Sequence, residues 1–277
     1  MYLGVDIGGT KTLVAVLDAR GEIIQQVKFP TPVSYNDFLT QFSSTVKGFN
    51  TQEFQAAAMG IPVVVYDRKH HVAVNFGNQN WRNISIQADI EALVDCPVIV
   101  ENDAKVGGLS EAKLVYNQFR RVVYVTIGTG IGYALIDDLH IDTNIGDSGG
   151  RNLLFEHDGK LTPWEAFASG KAFAARLGKP LTEVTDHEDW LQVARDLSRG
   201  LIELTAMLEP EVIIIGGGVG ASFDQYADLL RAELKTYEVP LLTIPALLQA
   251  KRPEEAVIHG CYELIMQEMP HHAAVAR

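Results

Sequence analysis

The chain has 277 residues, 47% of them hydrophobic and 21% charged, which excludes a disordered protein and allows a core large enough for two lobes. Its formal net charge of −12 argues against nonspecific binding to nucleic acid or to an anionic membrane. With only two cysteines, no signal-peptide pattern and no run of about 18 apolar residues, the sequence predicts a cytoplasmic protein with reduced thiols and no membrane span.

Three strand-like runs open the chain and predict an antiparallel meander. They are YLGVDIG, TLVAVLDA and EIIQQVKFP, separated by the turn residues Gly8-Gly9 and Arg20-Gly21. Helical periodicity follows at residues 35–49, 85–94 and 104–114. Further strands are predicted at residues 56–65 and 71–74 and in the run CPVIVEND. This half of the chain therefore predicts a mixed sheet flanked by helices.

The second half repeats this opening. VVYVTIGTG and GYALIDD form a second strand, glycine turn and strand, and long amphipathic helices alternate with strands after them. The helices are predicted at residues 188–208, 222–237 and 254–268, and the strands are EVIIIGGG and LLTIPALL. Two similar halves predict a two-lobed α/β fold with an interlobe cleft. We expect lobes at residues 1–115 and 116–253, with the helix at about 254–277 packing back on the first.

Three glycine-rich turns are candidates for binding phosphate: DIGGTKT (residues 6–12), TIGTGIG (126–132) and IIIGGGVGAS (213–222). Glycine lets backbone N–H groups approach an anion without a β-carbon in the way. Each turn alone could be an ordinary hairpin. The third also matches a dinucleotide pattern, but the next strand ends without the acidic residue that a nicotinamide enzyme needs. No G-x-x-x-x-G-K-[ST] run is present, which excludes a P-loop enzyme.

In this order, the three turns resemble the ATP site of the actin-like ATPase superfamily, which has a two-lobed, ribonuclease H-like fold. In that superfamily two hairpins hold the phosphates from opposite lobes, and the last turn meets the adenosine. The resemblance implies ATP as a ligand. It also implies that Asp6 holds Mg²⁺, usually through water.

The run VIVENDAKVGGLSEAK (residues 98–113) places Asp103 at the junction of a strand and a helix. Asp103 could simply cap the helix, or it could act as a general base at the opening of the cleft. Together with other runs, this one resembles the ROK family of sugar kinases: DIGGTKT, GNQNWRNISI (77–86), ENDA, TIGTGIG, WEAFASGKA (164–172) and LEPEVIIIGGGVG. The resemblance covers nearly the whole chain and implies an ATP-dependent kinase for a hexose hydroxyl, commonly a homodimer.

The resemblance implies roles for individual residues, position by position. Asp103 would take the proton of the attacking sugar hydroxyl, and Asn102 would bind a neighbouring hydroxyl. Glu165 would hold hydroxyls on the far side of the sugar. The residues around the ATP would be Gly8, Gly9, Thr10, Lys11, Thr126, Gly128, Thr129, Gly130, Gly217 and Gly218. Phosphoryl transfer depends mainly on positioning and on neutralising charge with Mg²⁺, so this arrangement suits the reaction.

One segment departs from the family pattern. Before Glu165 the family has Gly-Glu-x-Gly-His, whose Glu and His hold the sugar, whereas this chain has GDSGG at residues 146–150. Asp147 could replace the glutamate with one methylene less, and Gly150 stands where the histidine is expected. Many members of the family also have a cysteine-rich zinc site in this region. This chain has no cysteine between Cys96 and Cys261, so we expect no zinc. His157, nearby, is interpreted as an exposed turn residue rather than a ligand.

These motifs leave several functions open. Glucose is favoured only because it is a common substrate of such kinases, and N-acetylmannosamine, fructose and allose are alternatives. A sugar- or nucleotide-binding protein without useful catalysis is a second hypothesis, because the histidine is missing. A ROK-type transcriptional repressor would need a DNA-binding domain before the first strand, where the sequence leaves no room. GDSGG also resembles the nucleophile loop of trypsin-like proteases, but Ser148 would need a histidine base, and a protease would leave the glycine turns unexplained.

Overall fold

The computed structural model of the chain describes residues 1–51, 53–77, 79–252 and 254–269. The chain divides into two compact units: unit 1 comprises Met1–Ser110 and the chain from Glu255 onward, and unit 2 comprises Glu111–Glu254. Both units mix strands and helices, so the predicted α/β fold class is confirmed. Within the described residues, no helix is long and apolar enough to cross a membrane.

Unit 1 is built on a five-stranded sheet. Its elements are β1 (Tyr2–Ile7), β2 (Lys11–Leu17), β3 (Ile23–Pro30), α1 (Tyr35–Lys47), β4 (Ala56–Ile61), β5 (Val63–Asp67), β6 (Val72–Phe76), β7 (Arg82–Ile84), α2 (Ile86–Val94), β8 (Val98–Asn102), α3 (Asp103–Val115, which runs on into unit 2) and, after unit 2, α9 (Ala256–Glu268). The sheet order is β3-β2-β1-β4-β8. The predicted antiparallel meander of β1 to β3 is confirmed, and β4 and β8 run parallel to β1.

The core of unit 1 forms because its central strands are apolar along their length. Every residue of β4 is buried, as expected of a strand that is covered on both faces. Helix α1 contributes Phe38 and Phe42 to the core, and α9 packs against β1 and β4. The thiol of Cys261, on α9, donates to the carbonyl of Val5 at 3.7 Å. The part of the predicted last helix beyond Met269 lies outside the described residues.

Pro62 divides the single strand that the sequence predicts at residues 56–65. Proline has no backbone N–H, so the ladder stops at β4 and the chain continues as β5 in a separate sheet with β6 and β7. Trp81 links that small sheet to α1, because its ring lies 5.0 Å from the rings of both Phe38 and Phe76. The run GNQNWRNISI thus anchors the small sheet on α1; its Asn78 lies outside the described residues.

Unit 2 contains a second five-stranded sheet, in the order β11-β10-β9-β14-β15. Its elements are β9 (Arg121–Ile127), β10 (Ile131–Asp137), β11 (His140–Ile141), β12 (Leu154–His157), β13 (Lys160–Pro163), α4 (Trp164–Ala168), α5 (Gly170–Leu177), α6 (His187–Leu208), β14 (Val212–Gly216), α7 (Gly217–Gly220), α8 (Phe223–Lys235) and β15 (Ala246–Gln249). β9 and β10 are antiparallel, whereas β14 runs parallel to β9 and β15. The order of strand, glycine turn and strand at the start of each unit matches the prediction.

Two features of unit 2 differ from the sequence expectations. The predicted strand LLTIPALL is shortened to β15, because Pro245 cannot donate to a ladder and Leu241 is 98% exposed. The hairpin of β12 and β13 was not predicted, since its short runs contain charged residues and lack clear alternation. The long helices near residues 188–208 and 222–237 are confirmed as α6 and α8.

Gly200 allows α4 to lie directly on α6. Trp164, the first residue of α4, is completely buried, and its indole N–H donates to the carbonyl of Asp196 at 3.0 Å. A β-carbon at position 200 would overlap the indole ring. The contact fixes the start of α4, and therefore the backbone of Glu165, against the longest helix of the unit.

We expect Gly200→Ala to destabilise the protein by about 1–2 kcal/mol. Alanine improves helix propensity by about 1 kcal/mol, but overlap with Trp164 in a packed core costs more. Urea unfolding measures the change. Glu203→Ala, at an exposed position of the same helix, serves as the control and should stay within about 0.5 kcal/mol of the parent protein. A Gly200→Ala protein more stable than the parent would contradict the packing described.

Candidate functional site

Asp6 and Asp103 lie beside each other in unit 1. Asp6 is in register with Gly60 on β4, and Asp103 begins α3 directly after β8. A β-carbon on Gly60 would lie 3.3 Å from Asp103 Cα and would overlap Val257 of α9. Because glycine has no side chain, Asp103 can approach β4 next to Asp6. The sequence reasoning missed Gly60, although a lone glycine inside an apolar strand was its signal.

The electrostatics of this pair favour a cation. Burial, and next the negative charge of Asp103, raise the pKa of Asp6 to about 7, while the charge of Lys28 acts in the opposite direction. Lys28 lies on the same row of the sheet, since Leu13 pairs with Asp6 on one side and with Lys28 on the other. Asp6 remains partly exposed. Neighbouring carboxylates that an ion can reach are a suitable donor set for Mg²⁺, so the residues fit the implied metal.

Asn102 caps helix α3. Its Oδ1 accepts hydrogen bonds from the N–H groups of Ala104 (3.0 Å) and Lys105 (3.3 Å), and its Nδ2 donates to the carbonyl of Val63 at 3.1 Å. The capping role considered for Asp103 therefore belongs mainly to Asn102, although Asp103 Oδ1 also accepts from the N–H of Ala104 at 2.8 Å. The buried side chain of Asn102 holds the start of the helix on which Asp103 is placed.

A partly buried ion pair of Arg68 and Glu101 supports the start of this helix. Glu101 Oε1 accepts from the N–H of Asn102 at 2.7 Å, and Glu101 Oε2 accepts from Arg68 Nε at 3.0 Å. Arg68 Nη2 makes a second contact with the same carboxylate. The guanidinium therefore binds the carboxylate with two donors, which fixes its orientation. Nothing in the local sequence around Arg68 signals this contact, because it spans 33 positions of the chain.

The carbonyl oxygens of the first glycine turn bind protein donors. Thr31 Oγ1 donates to Gly8 O at 2.9 Å, and the N–H of Thr31 donates to Thr10 O at 3.0 Å. Gln79 Nε2 donates to Gly9 O at 2.8 Å. Carbonyls held in this way do not repel an approaching anion, which leaves the outer edge of the turn to N–H groups and exposed side chains. Thr31 and Gln79 were missed because they are distant in sequence.

In unit 2, three backbone segments meet at the second glycine turn. The N–H of Gly128 donates to Gly130 O at 2.9 Å and closes the turn between β9 and β10. Gly217 has a φ of +74°, and its β-carbon would lie 2.6 Å from Ile127 O. A β-carbon on Gly170, at the start of α5, would lie 2.9 Å from Gly128 O. The second and third predicted turns are therefore adjacent within unit 2, and only glycine permits this packing.

Gly128 and Gly218 face open space. Apart from their chain neighbours and, for Gly218, the backbone of its own helix α7, no described atom lies within 4 Å of a β-carbon built on either residue. Thr126 is half-buried at the same turn, Thr129 is exposed, and Lys11 is exposed at the turn of unit 1. Open space beside backbone N–H groups suits a phosphate. These turns therefore fit a ligand that carries phosphate.

Glu165 is held at both of its carboxylate oxygens. Oε2 accepts from the N–H of Ile131 at 2.9 Å, and Oε1 accepts from Arg151 Nε at 2.9 Å. The side chain of Glu165 keeps 21% exposure, so a ligand can still reach it. Arg151 was not predicted as a site residue, because the family pattern covers residues 146–150 and ends just before it. Its signal was a basic residue directly after a glycine-rich loop.

The loop that departs from the family pattern lies against β10. It ends in a 3₁₀ turn at Gly149–Arg151, and Asp147 is half-buried just before that turn. Gly150 is buried, and its β-carbon would lie 2.9 Å from Ile131 Cβ. Position 150 therefore has no room for a larger side chain unless the loop moves. Glu165 lies at the same place, with its N–H 3.4 Å from that β-carbon.

His157 packs on an aromatic ring, so its interpretation as an exposed turn residue is wrong. Its ring stacks on Phe167 at 4.3 Å, and the guanidinium of Arg199 lies 5.3 Å from the centre of the same Phe167 ring. These contacts hold the hairpin of β12 and β13 to the helices. Among the described residues, no group of three or more His, Cys, Asp or Glu side chains is placed to hold a metal ion.

We expect Asp6→Asn to raise the free energy of unfolding of metal-free protein by about 1–3 kcal/mol at pH 8. The folded pKa of Asp6 is above its ordinary value of 3.8, so folding favours the protonated acid. Stability therefore falls as the pH rises from about 4 to about 7, and the loss persists above that. Asparagine removes this penalty. Denaturant unfolding at pH 8 and at pH 4 tests the prediction, since the variant and parent should converge at the lower pH; equal stability at pH 8 would contradict it.

The chain is similar to proteins whose family is known. Residues 2–268 match the ROK family. A glucokinase of Streptomyces coelicolor is 28% identical over 293 residues, covering 86% of this chain and 88% of the relative. A fructokinase of Lactococcus lactis subsp. cremoris is 28% identical over 235 residues, covering 79% of each.

A solved structure supports the same assignment at the level of fold. The ROK family glucokinase from Streptomyces griseus, in complex with glucose and AMPPNP, matches with a TM-score of 0.78 and 24% identity, covering 96% of this chain and 99% of that chain. The predicted actin-like fold class is therefore confirmed. Because the family match spans nearly the whole chain, the predicted family is confirmed as well, and the protein belongs to the ROK family.

Proposed function

We propose that the protein is an ATP-dependent hexose kinase, which transfers the γ-phosphoryl group of Mg-ATP to a sugar hydroxyl. The observation that carries the proposal is the position of Asp103 next to Asp6 in unit 1. A general base beside a carboxylate that can hold a cation suits this transfer. Membership of the ROK family supports the same reaction, since the two relatives described above are named as sugar kinases.

Asp103 is proposed as the general base. It accepts the proton of the sugar hydroxyl while the hydroxyl oxygen attacks the γ-phosphorus, and ADP leaves with the electrons of the broken P–O bond. The proton is lost late, so an ordinary carboxylate is basic enough. Asn102 fixes the start of α3, and its second Nδ2 hydrogen can donate to a neighbouring sugar hydroxyl. Asp6 would hold Mg²⁺, usually through water, which neutralises phosphate charge when bound.

The glycine turns are proposed to bind the nucleotide. The pinned carbonyls of the first turn and the open space beside Gly128 and Gly218 support this role. Amide N–H groups and the charge of Lys11 would bind the phosphates. The proposed set is Gly8, Gly9, Thr10 and Lys11 in unit 1, and Thr126, Gly128, Thr129, Gly130, Gly217 and Gly218 in unit 2.

Within unit 2, Glu165 and Asp147 are proposed to bind hydroxyls of the acceptor sugar. Within unit 1, Asn102 and Asp103 are proposed as sugar-binding residues. Glucose, giving glucose 6-phosphate, is the first acceptor to test. The glucokinase and the fructokinase described above share the same 28% identity with this chain, so identity does not select between their sugars. Fructose, N-acetylmannosamine and allose complete the panel. We also propose a homodimer in the cytoplasm that uses no zinc.

A second candidate function follows from position 150. A glycine there supplies no side chain to the sugar, and the loop has no room for one. A sugar- or nucleotide-binding protein with weak or no catalysis is consistent with this feature. Calorimetry separates the two functions, because the second predicts binding of sugar and nucleotide without release of ADP.

Asp103→Asn should lower kcat by about 10²–10⁴-fold, because it removes the proton acceptor and leaves the helix start in place. A coupled ADP-release assay over the sugar panel measures the rate. Sugar affinity should change little, since an amide can still accept a hydrogen bond.

Asp95→Asn provides the matched control. Asp95 is an exposed residue with a left-handed backbone at the end of α2, a conformation that asparagine adopts readily. Its activity should equal that of the parent protein. Unchanged turnover in Asp103→Asn would sink the proposed mechanism.

Gly128→Ala should raise the KM for ATP by about tenfold without lowering stability, because the added methyl group enters space that only the ligand would occupy. Gly146→Ala is the comparison variant, since its β-carbon also meets open space but lies in the loop near Glu165. We expect that variant to leave the KM for ATP unchanged. An unaltered KM for ATP in Gly128→Ala would contradict the binding of the ATP phosphates at the second glycine turn.

A further inference from the structure

Arg151 and Glu165 form an ion pair in unit 2 at the place where the chain departs from the family pattern. Arg151 Nε donates to Glu165 Oε1 at 2.9 Å, and the two side chains are 34% and 21% exposed. The pair is therefore neither fully solvated nor sealed from a ligand. A contact of this kind between a charged donor and a charged acceptor is stronger than a neutral hydrogen bond.

The backbone leaves Arg151 as the side chain that can reach Glu165 from this loop. Gly149 has a φ of +57°, and a β-carbon on it would overlap the carbonyl of Ile131. Gly150 is blocked in turn by the side chain of Ile131. Both glycines are buried against β10, so after Ser148 the next side chain of the loop is that of Arg151, at the end of the 3₁₀ turn.

The two hydrogen bonds to Glu165 fix its carboxylate in one orientation. The N–H of Ile131 holds Oε2, and the guanidinium holds Oε1, so rotation about the last torsion would break both contacts. An untethered glutamate side chain would lose rotamer freedom on binding a sugar. In this protein that freedom is already lost before the ligand arrives.

We propose that Arg151 is a positioning residue that fixes Glu165 for binding of the acceptor sugar, and this inference rests on the proposed function. It acts through the carboxylate rather than on the phosphoryl group. The side chain uses only Nε on Glu165, and no other hydrogen bond of its guanidinium occurs among the described residues. Arg151 therefore acts on the site through this one carboxylate.

A double-mutant cycle tests the inference: Arg151→Met, Glu165→Gln and the double variant, each titrated with sugar by calorimetry in the absence of nucleotide and assayed for turnover. Arg151→Met alone should weaken sugar binding by about 10–100-fold and leave the KM for ATP within about twofold. In the Glu165→Gln background the same change should have less than about a threefold effect, because the carboxylate through which Arg151 acts is gone. Arg151→Lys should bind sugar with intermediate affinity, since it keeps the charge without the planar donor.

Arg176→Met is the matched control, because Arg176 also pairs with a carboxylate of unit 2 and its side chain is 35% exposed. Its sugar affinity should equal that of the parent protein, and melting curves check that every variant is folded. Unchanged sugar affinity in Arg151→Met, or an equal loss with and without Glu165, would overturn the inference. Turnover by the parent together with either result would leave the kinase proposal intact.

Failure of the kinase proposal is seen separately. If the parent protein binds a sugar but does not release ADP, the kinase proposal fails and the binding cycle still decides the role of Arg151. If the parent protein binds no sugar of the panel, both proposals are overturned.

Discussion

The site of unit 1 depends on one constraint, which is that residue 60 must be a glycine. The parallel strands β1, β4 and β8 end at the same edge of the sheet, which brings Asp6 and the start of α3 to that edge. The strand between them must leave room for Asp103, and Gly60 does so. This setting is unfavourable for a charged Asp6, because burial and, next, the charge of Asp103 raise its pKa. Residues that bind a cation commonly lower the stability of the free protein, and binding of the cation offsets that loss.

Unit 2 also depends on glycines without side chains, in this case for close packing of its backbone segments. Gly170 and Gly217 let two helix starts approach the end of β9, so main chain packs against one side of the second glycine turn. Close backbone packing makes the turn stiff, and a stiff turn presents its N–H groups without further ordering. Next to this turn, Trp164 packs on Gly200 and fixes the helix that carries Glu165, which accepts from the N–H of Ile131. Rigid elements therefore position both the turn and the acid.

The parts of the fold that could be predicted from the sequence are those that depend on local sequence patterns. The meander of β1 to β3, the glycine turns and the junction at Asp103 follow from alternation, glycine spacing and a strand followed by a helix. Thr31 and Gln79 could not be predicted from local patterns, because they act through contacts with the distant first glycine turn. Gly60 and Arg151 each had a local signal, but their contacts with Asp103 and Glu165 are visible only in the folded chain. The break at Pro62 is a local signal as well, because a proline has no backbone N–H to continue the ladder.

Unit 1 is interrupted in the sequence, and this affects how a nascent chain can assemble. Helix α9 follows unit 2, yet it covers β1 and β4 and places Val257 over Gly60. On the ribosome, the continuous unit 2 can fold before α9 emerges, whereas the first sheet waits with an uncovered apolar face. The environment that raises the pKa of Asp6 is therefore completed last, after the glycine turns of unit 2 have formed.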